Sequence, residues 1–299
     1  MALFDLFLLL ILGGLWGGSF IFMRVAAPQF GPVWLIFLRV LIAAGALLVW
    51  TVAQRQAPSL KRLGWQYLVL GLIASALPFT LIAWAELKLS ASTAAILNAA
   101  TPLMAALTGA LLLGERFGPR RLAGLVLGFI GVVLVVGWTG LTLGAAALLP
   151  ALASLGACLC YALGAAFTKR AFGGESAVGL ATGQQIGAVI AFLPLLPFVE
   201  RPGAIELGAI WALVALALAS TAVAYLIYFV ILERNGPTKT LTVTFLVPLF
   251  SSVWGALFLS ESVGWGAGAG LVLILGSLLL VNEVRLPPFG GRGRRKAAA

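Results

Sequence analysis

The polar side chains that interrupt the long apolar stretches of this 299-residue chain are few, and they occur at helical spacing. Residues three and four apart lie on one face of a helix. Two such faces are Thr221, Tyr225 and Tyr228 in one stretch, and Thr240, Thr244, Pro248 and Ser251 in the next. A tyrosine hydroxyl deep in an apolar helix needs a polar partner, which favours cavity walls over lipid-facing positions for both tyrosines. Such a face can bind a small amphipathic solute.

Arg39 adds a charge to this set, because it lies well inside an apolar stretch. Gln184 and Gln185 add neutral amides in a later stretch. A charged side chain deep inside a membrane-spanning stretch usually lies on a substrate or ion pathway. We expect Arg39 to attract a substrate carboxylate or to close an outer gate; the alternative is a side chain that extends to the membrane surface.

Two prolines, Pro102 and Pro248, lie in the middle of apolar stretches. A proline in a helix removes a backbone hydrogen bond and frees the carbonyl four residues earlier, here at Asn98 and Thr244. Both freed carbonyls therefore lie beside a polar side chain. The prediction is a hinge that faces a cavity, with a static kink as the alternative.

Further cavity candidates are aromatic or hydroxyl-bearing residues next to small ones. Trp16 and Ser19 belong to the segment WGGSF, Tyr161 opens YALGAAFTKR, and Phe79 lies 146 residues before Tyr225. Small residues beside an aromatic ring allow another helix to approach closely, so simple helix packing is the alternative interpretation.

Several kinds of chemistry are absent from the sequence. It has no histidine, and its nine carboxylates fall at the ends of apolar stretches or between them. Proton-driven pumps usually place an ionisable group inside the membrane, so we predict facilitated transport with weak or no proton coupling. Histidine-based and metal-assisted catalysis also lack their usual groups. We therefore expect no enzymatic activity, no metal and no cofactor.

Composition identifies the elements that must position these residues. The chain is 62% hydrophobic and 9% charged, with a mean hydropathy of +1.12, which is typical of a membrane protein. A membrane-spanning helix needs roughly 20 mostly apolar residues. We therefore predict an all-α integral membrane protein with ten transmembrane helices. The predicted spans are 5–23, 33–52, 66–86, 92–113, 120–138, 148–168, 178–198, 208–231, 239–260 and 265–283.

The chain also repeats itself. NAATPLMAALTGALLLGERFG at 98–118 matches TFLVPLFSSVWGALFLSESVG at 244–264, 146 residues later, and GLVL occurs at both 124–127 and 270–273. An internal repeat of this kind indicates a duplicated structural unit. We assign a first five-helix repeat to residues 1–140, a second to 141–284 and a basic cytoplasmic tail to 285–299.

Positive charge is distributed unevenly between the two sides of these spans. Of 19 lysines and arginines, fifteen fall on the side of both termini and three on the other, which predicts cytoplasmic termini. The net charge of +10 thus reflects topology, not nucleic-acid binding. An odd number of spans per repeat gives the two repeats opposite orientations, as in secondary transporters that expose a midplane site alternately to each side.

Three features together are similar to a known family: WGGSF in the first span, a mid-helix proline followed by a terminal Gly-Glu or Ser-Glu pair in each half, and a glycine-rich closing helix. They resemble the EamA family of the drug/metabolite transporter superfamily, and within it the YddG-type exporters of amino acids. The resemblance implies a ten-helix metabolite exporter of a bacterial inner membrane, with helices one to four and six to nine around a central cavity. Its expected partners are a small-molecule substrate and the lipid bilayer, and its expected state is a monomer or a homodimer.

Other functions remain open at this point. A sugar-nucleotide or phosphorylated-sugar exchanger of the same superfamily would need several cationic side chains in its cavity, and Arg39 is the single candidate in the sequence. A membrane-embedded enzyme on a lipid-linked substrate would need a catalytic pair, which the sequence does not display. A passive channel would need a continuous pore.

Overall fold

The computed structural model describes residues 3–56, 58–113, 118–235, 240 and 243–281, and all regular secondary structure in these ranges is helical. The helices of the first half are α1 (Leu3–Phe30), α2 (Pro32–Ala53), α3 (Leu60–Gly71), α4 (Leu77–Ala85), α5 (Ala91–Asn98), α6 (Thr101–Leu113) and α7 (Pro119–Leu143). Those of the second half are α8 (Leu148–Ala171), α9 (Ala177–Phe192), α10 (Leu207–Ala217), α11 (Ala224–Asn235), α12 (Val243–Leu259) and α13 (Trp265–Val281).

Two π-helical turns join pairs of these helices into longer rods. Leu72–Ala76 connects α3 to α4, and Leu218–Val223 connects α10 to α11. Short 3₁₀ turns lie at Ala145–Ala147 and Leu196–Phe198. The predicted tail, 285–299, lies outside the described residues.

The lengths of the helices suit a lipid bilayer. Among the described residues, seven segments are long and apolar enough to cross a membrane: Leu3–Phe30, Pro32–Ala53, Leu63–Ala85, Ala91–Leu111, Pro119–Thr139, Ala145–Ala171 and Leu207–Asn235. Three shorter apolar helices are Ala177–Phe192, Val243–Leu259 and Trp265–Ser277. The prediction of an all-α chain with multiple apolar helices is therefore confirmed.

Local sequence explains where several helices begin. Pro32 and Pro119 stand in the first turn of α2 and α7, where the missing proline N–H would have had no helical partner. Ser90 and Ser176 precede α5 and α9, and each side-chain oxygen accepts a hydrogen bond from the backbone N–H three residues later.

Polar contacts cluster at the two ends of the helix bundle. At the end where α1 begins, called the N-terminal end, Arg234 donates to Asp5 over 2.7 Å. At the opposite end, called the distal end, Gln29 and Glu206 exchange two hydrogen bonds of 3.2 and 2.8 Å. These contacts tie α1 to both ends of the α10–α11 rod.

Close helix packing joins the two halves of the chain. At Gly17 of α1 a Cβ atom would lie 2.8 Å from the backbone nitrogen of Ser251 in α12, so only glycine allows this approach. The glycines of α7 and α13 serve the same purpose, since a Cβ at Gly270 would lie 2.7 Å from the carbonyl oxygen of Gly131. These two glycines pack within the chain.

The helices differ from the predicted spans in several places, among them the seventh span, which was expected to reach residue 198 but whose helix α9 ends at Phe192. The first was expected to end at residue 23, but α1 continues to Phe30 with Pro28 inside it. The fourth breaks at residues 99–100, between α5 and α6, because Pro102 starts a new helix instead of bending an existing one. Neither π turn contains a proline or a glycine, so no residue within it indicates an interruption of the helix. In the second π turn the hydroxyl of Thr221 donates to the carbonyl oxygen of Leu216, five residues earlier, over 2.8 Å.

Candidate substrate-binding cavity

A cavity of about 580 Å³ lies between helices of both halves. Its volume falls within the range of about 300–1,000 Å³ that is usual for small-molecule sites. Eleven of the twelve residues predicted as cavity or hinge residues line it: Trp16, Ser19, Arg39, Phe79, Asn98, Pro102, Tyr161, Tyr225, Tyr228, Thr244 and Pro248. Gln185 does not line the cavity. It is fully buried in α9, while its neighbour Gln184 reaches the cavity wall.

Arg39 is the charged residue of this wall, and it is 3% exposed. Its Nε donates to the hydroxyl of Thr221 over 3.0 Å, and its guanidinium carbon lies 3.8 Å from the centre of the Phe79 ring. One terminal nitrogen also lies 3.6 Å from the sulfur of Met23. No carboxylate in the described part of the chain forms a salt bridge with Arg39. The cation is thus held in place by neutral groups.

Aromatic rings form two groups on the cavity wall. Trp16 of α1 lies 6.5 Å from Tyr225 and 5.6 Å from Tyr228, measured between ring centroids. Phe79 of α4 lies 6.1 Å from Tyr161 of α8. Edge-to-face and tilted pairs of this kind are favourable and hold the rings in fixed orientations. This part of the cavity wall therefore consists of aromatic ring faces together with two kinds of polar group, the tyrosine hydroxyls and the indole N–H.

The two π turns hold polar side chains from the other half of the chain. Thr221, in the second turn, accepts from Arg39 of α2, and Ser75, in the first turn, accepts from the Nε2 of Gln184 in α9 over 2.8 Å. Ser75 and Thr221 are 146 residues apart, which is the spacing of the sequence repeat. The two acceptors are therefore equivalent, whereas the two donors, Arg39 and Gln184, are 145 residues apart and thus one position from exact equivalence.

The break between α5 and α6 faces the cavity. The hydroxyl of Thr101 lies 2.7 Å from the carbonyl oxygen of Asn98 and 2.9 Å from its side-chain oxygen. This contact satisfies the carbonyl that Pro102 leaves without a backbone donor, as the sequence predicted for Asn98. Pro248, in contrast, lies inside the continuous helix α12. The two prolines thus occupy equivalent sequence positions in different local structures.

The cavity extends towards the N-terminal end, where Thr168, Leu180 and Leu232 line it. The distal end is closed by contacts between α5 and the chain after α12. The carboxylate of Glu261 accepts from the backbone nitrogens of Ala91 and Ser92 over 2.9 and 3.0 Å, and from the Ser92 hydroxyl over 2.8 Å. A carboxylate at a helix N-terminus is stabilised by the helix dipole and the exposed N–H groups. The negatively charged side chain of Glu261 therefore connects the two halves of the chain on the distal side of the cavity.

Further hydrogen bonds join these segments. The hydroxyl of Ser251 in α12 donates to the carbonyl oxygen of Ala91, at the start of α5, over 3.2 Å, and Arg24 of α1 donates to the main-chain oxygen of Glu86, which follows α4. Nearer the middle of α1, Trp254 donates to the carbonyl oxygen of Gly14 over 3.1 Å. These bonds hold α1, α4, α5 and α12 together on the distal side of the cavity.

Comparison with known proteins identifies the family of the chain. The model of the EamA-like transporter family matches the chain twice, at residues 3–137 and 148–283. The chain belongs to the EamA-like transporter family. It is accordingly a membrane transporter, and the resemblance drawn from the sequence is confirmed.

Relatives within this family are similar over nearly the whole chain. Protein PecM of Dickeya dadantii is 27% identical over 277 residues, covering 91% of this chain and 90% of that protein. A probable amino-acid metabolite efflux pump of Escherichia coli is 25% identical over 307 residues, covering 97% of each. One solved crystal structure aligns with a TM-score of 0.65 at 18% identity, over 94% of this chain and 99% of that one, which shows a shared fold.

Sequence reasoning named both Gln184 and Gln185 as polar candidates and chose Gln185 as the cavity residue, whereas Gln184 makes the contact with Ser75, because helical periodicity alone does not fix which of two adjacent amides turns inward. It missed two features of this EamA-like cavity. It gave Glu261 no role, although Glu261 lies within the longest repeated segment. It placed Glu86 at a span end, where the residue does follow α4, but it did not predict that the side chain is fully buried.

Proposed function

We propose that this chain exports small amphipathic metabolites, above all amino acids and including aromatic ones, by alternating access through the central cavity. The observation that carries the proposal is Arg39, a buried cation without a salt bridge to any described carboxylate, beside the ring of Phe79. A buried charge is costly unless it is paired, so a substrate carboxylate would supply the missing partner. The aromatic groups around Trp16 and Tyr161 would receive the apolar part of the substrate.

The proposed architecture is ten transmembrane helices in two five-helix repeats of opposite orientation, residues 1–140 and 141–284. Two observations support it. The family model matches the two halves separately. The paired contacts, Arg39 with Thr221 and Gln184 with Ser75, connect equivalent elements of the two halves. Inverted repeats with a site at their interface are the usual basis of alternating access.

The proposed location is the inner membrane of a bacterium, with both termini in the cytoplasm. The excess of lysine and arginine on the side of the termini supports this orientation. The N-terminal end of the bundle is then cytoplasmic, and the distal end faces the periplasm or the exterior. The cavity, which extends to Thr168 and Leu180, is accessible from the cytoplasm, as an exporter requires in order to load its substrate.

Transport is proposed to be facilitative. Arg39 is the one ionisable side chain other than the tyrosines among the residues that line the cavity, and an arginine does not exchange protons at neutral pH. An exchanger of phosphorylated sugars is the weaker candidate, because a phosphate group is usually held by several cationic side chains. The name of the Escherichia coli relative, a probable amino-acid metabolite efflux pump, also favours amino acids.

The test is uptake of labelled amino acids into proteoliposomes that contain the purified chain. We expect saturable flux of aromatic and large apolar amino acids along their own gradient, without any requirement for a pH gradient. Absence of flux for every amino acid, with flux of a sugar phosphate instead, would replace the proposed substrate class. Flux that requires a pH gradient would overturn the facilitative mechanism.

A further inference from the structure

Glu86, which follows α4 at the distal end, carries a carboxyl group that does not line the binding cavity. Its side chain is 0% exposed, and neither carboxyl oxygen has a hydrogen-bond partner within the described residues. Glu200, at the same end, is exposed. Burial without a partner therefore distinguishes Glu86 from an ordinary glutamate in a loop.

The charged groups around Glu86 do not pair with its carboxyl oxygens. Arg24 of α1 bonds to the main-chain oxygen of Glu86 instead. Arg39 of α2 is engaged with Thr221, and Glu261, after α12, is engaged with the start of α5. These three are the charged side chains that interact electrostatically with Glu86 from neighbouring elements, two of them cationic and one anionic.

The energetics of burial decide the protonation state of this group. A buried carboxylate without a hydrogen-bonded partner is strongly disfavoured, and protonation removes most of that penalty. Burial accordingly raises the pKa of the Glu86 carboxyl well above its usual range, and the nearby cations only partly oppose this effect. In the closed arrangement burial therefore favours the neutral carboxylic acid over the carboxylate.

We propose that Glu86 is a proton-binding site of the distal gate, which holds a proton while the gate is closed and releases it into water when the gate opens. The proposal rests on the proposed alternating access, because it requires the distal end to open. No bond other than O–H is made or broken: the proton passes from the carboxyl oxygen to water. The proton enters and leaves at the same end, so it biases the gate without being carried across the membrane.

The direction of the pH effect follows from linkage. The closed state binds more protons than the open state, so rising external pH favours opening. The effect begins near the pKa of an exposed glutamate, about 4.3, and ends at the raised pKa of the buried group. Between these limits, the ratio of open to closed molecules rises by up to about tenfold per pH unit.

The experiment uses a single cysteine as a reporter of opening. In a chain with Cys158→Ala and Cys160→Ala, the variant Ala95→Cys places a thiol in the cavity wall, one turn inside the distal end. A membrane-impermeant thiol reagent is added from the distal side between pH 5 and pH 8. The same reagent on Val263→Cys, at an exposed position of the distal end, corrects for the ionisation of the thiol itself.

We expect the rate of thiol modification at Ala95→Cys, corrected for thiol ionisation, to rise with pH. Adding Glu86→Gln, which mimics the protonated form, should make the rate low at every pH, whereas Glu200→Gln should leave the rise unchanged. The infrared C=O band of a protonated carboxylic acid should be present at neutral pH in the parent chain and in Glu200→Gln, and should be lost in Glu86→Gln. The infrared measurement reports the protonation of Glu86 directly and does not require the gate to open.

The outcomes separate the two proposals. A corrected rate that is independent of pH, or a pH dependence that persists in Glu86→Gln, would overturn the proton site and leave alternating access intact. Absence of the infrared band in the parent chain would overturn it as well. If Ala95→Cys is never modified, with or without an amino-acid substrate, the distal end does not open and both proposals fail.

Discussion

At the scale of single residues, the central question is how a guanidinium is kept in an apolar cavity. Arg39 is oriented by the Thr221 hydroxyl and by the ring of Phe79, and neither contact neutralises its charge. Hydrogen bonds and cation–π contacts lower the cost of burial, but a carboxylate partner lowers it further. The proposed amino-acid substrate would provide this partner, which would make Arg39 a determinant of both affinity and substrate class.

The first prediction concerns the variant Arg39→Gln. We expect the KM for an amino acid to rise by about 10- to 100-fold, because a hydrogen bond to a charged group contributes about 1.5–3 kcal/mol. The KM for the corresponding amino-acid amide, which lacks the carboxylate, should hardly change. Transport of both compounds in proteoliposomes measures the difference.

Thr221→Val is the matched control for this prediction. It removes the oxygen that orients Arg39 and leaves the charge in place, so we expect a smaller rise in KM for the amino acid. An equal loss for the acid and its amide in Arg39→Gln would mean that Arg39 supports the fold and does not recognise the carboxylate.

At the residue level, the sequence predicted a position in the cavity wall where the residue type alone carries the information. Arg39, Tyr225 and Asn98 are rare polar groups in apolar helices, and each of them lines the cavity. Prediction failed where the surrounding helices determine whether a side chain is buried. The burial of Glu86 depends on how helices from both halves meet, which no local pattern records.

At the scale of elements, the rods that surround the cavity are interrupted in three ways: a break, a proline inside a helix, and two π turns. The π turns begin at Leu72 and Leu218, which differ by 146 positions, so both halves retain the same irregularity. A π turn leaves a carbonyl that lacks its usual donor, and hydroxyls can satisfy it. Helical periodicity predicts continuous rods and therefore does not reveal such turns.

The second prediction compares the two prolines. Pro248→Ala should slow flux more than it changes KM, because α12 is otherwise continuous and the proline is its weakest point for bending. Pro102→Ala should have a smaller effect, since the hydrogen bonds between Thr101 and Asn98 maintain the break without the proline. Maximal rates and KM values from proteoliposome uptake measure both effects. Equal rates for Pro248→Ala and the parent chain would make that proline a static bend.

At the scale of the whole molecule, composition predicted the class of fold, an all-helical chain with multiple apolar helices. Mean hydropathy fixed the membrane class, and the repeated segment at 98–118 and 244–264 predicted two related halves. Which helices touch is set by close packing across the halves, such as Gly17 of α1 against α12. Because these partners are distant in sequence, one sequence alone did not reveal that the distal end is the closed one.

The last prediction concerns orientation and accessibility. If both termini are cytoplasmic, a thiol at Leu180→Cys, near the N-terminal end of the cavity, should react with an impermeant reagent in inside-out vesicles and not in intact cells. Val263→Cys, in the exposed distal segment, should show the opposite preference. Both variants are made in the chain that lacks Cys158 and Cys160. Reaction of both thiols from the same side would contradict the placement of the two ends of the bundle on opposite sides of the membrane, which alternating access requires.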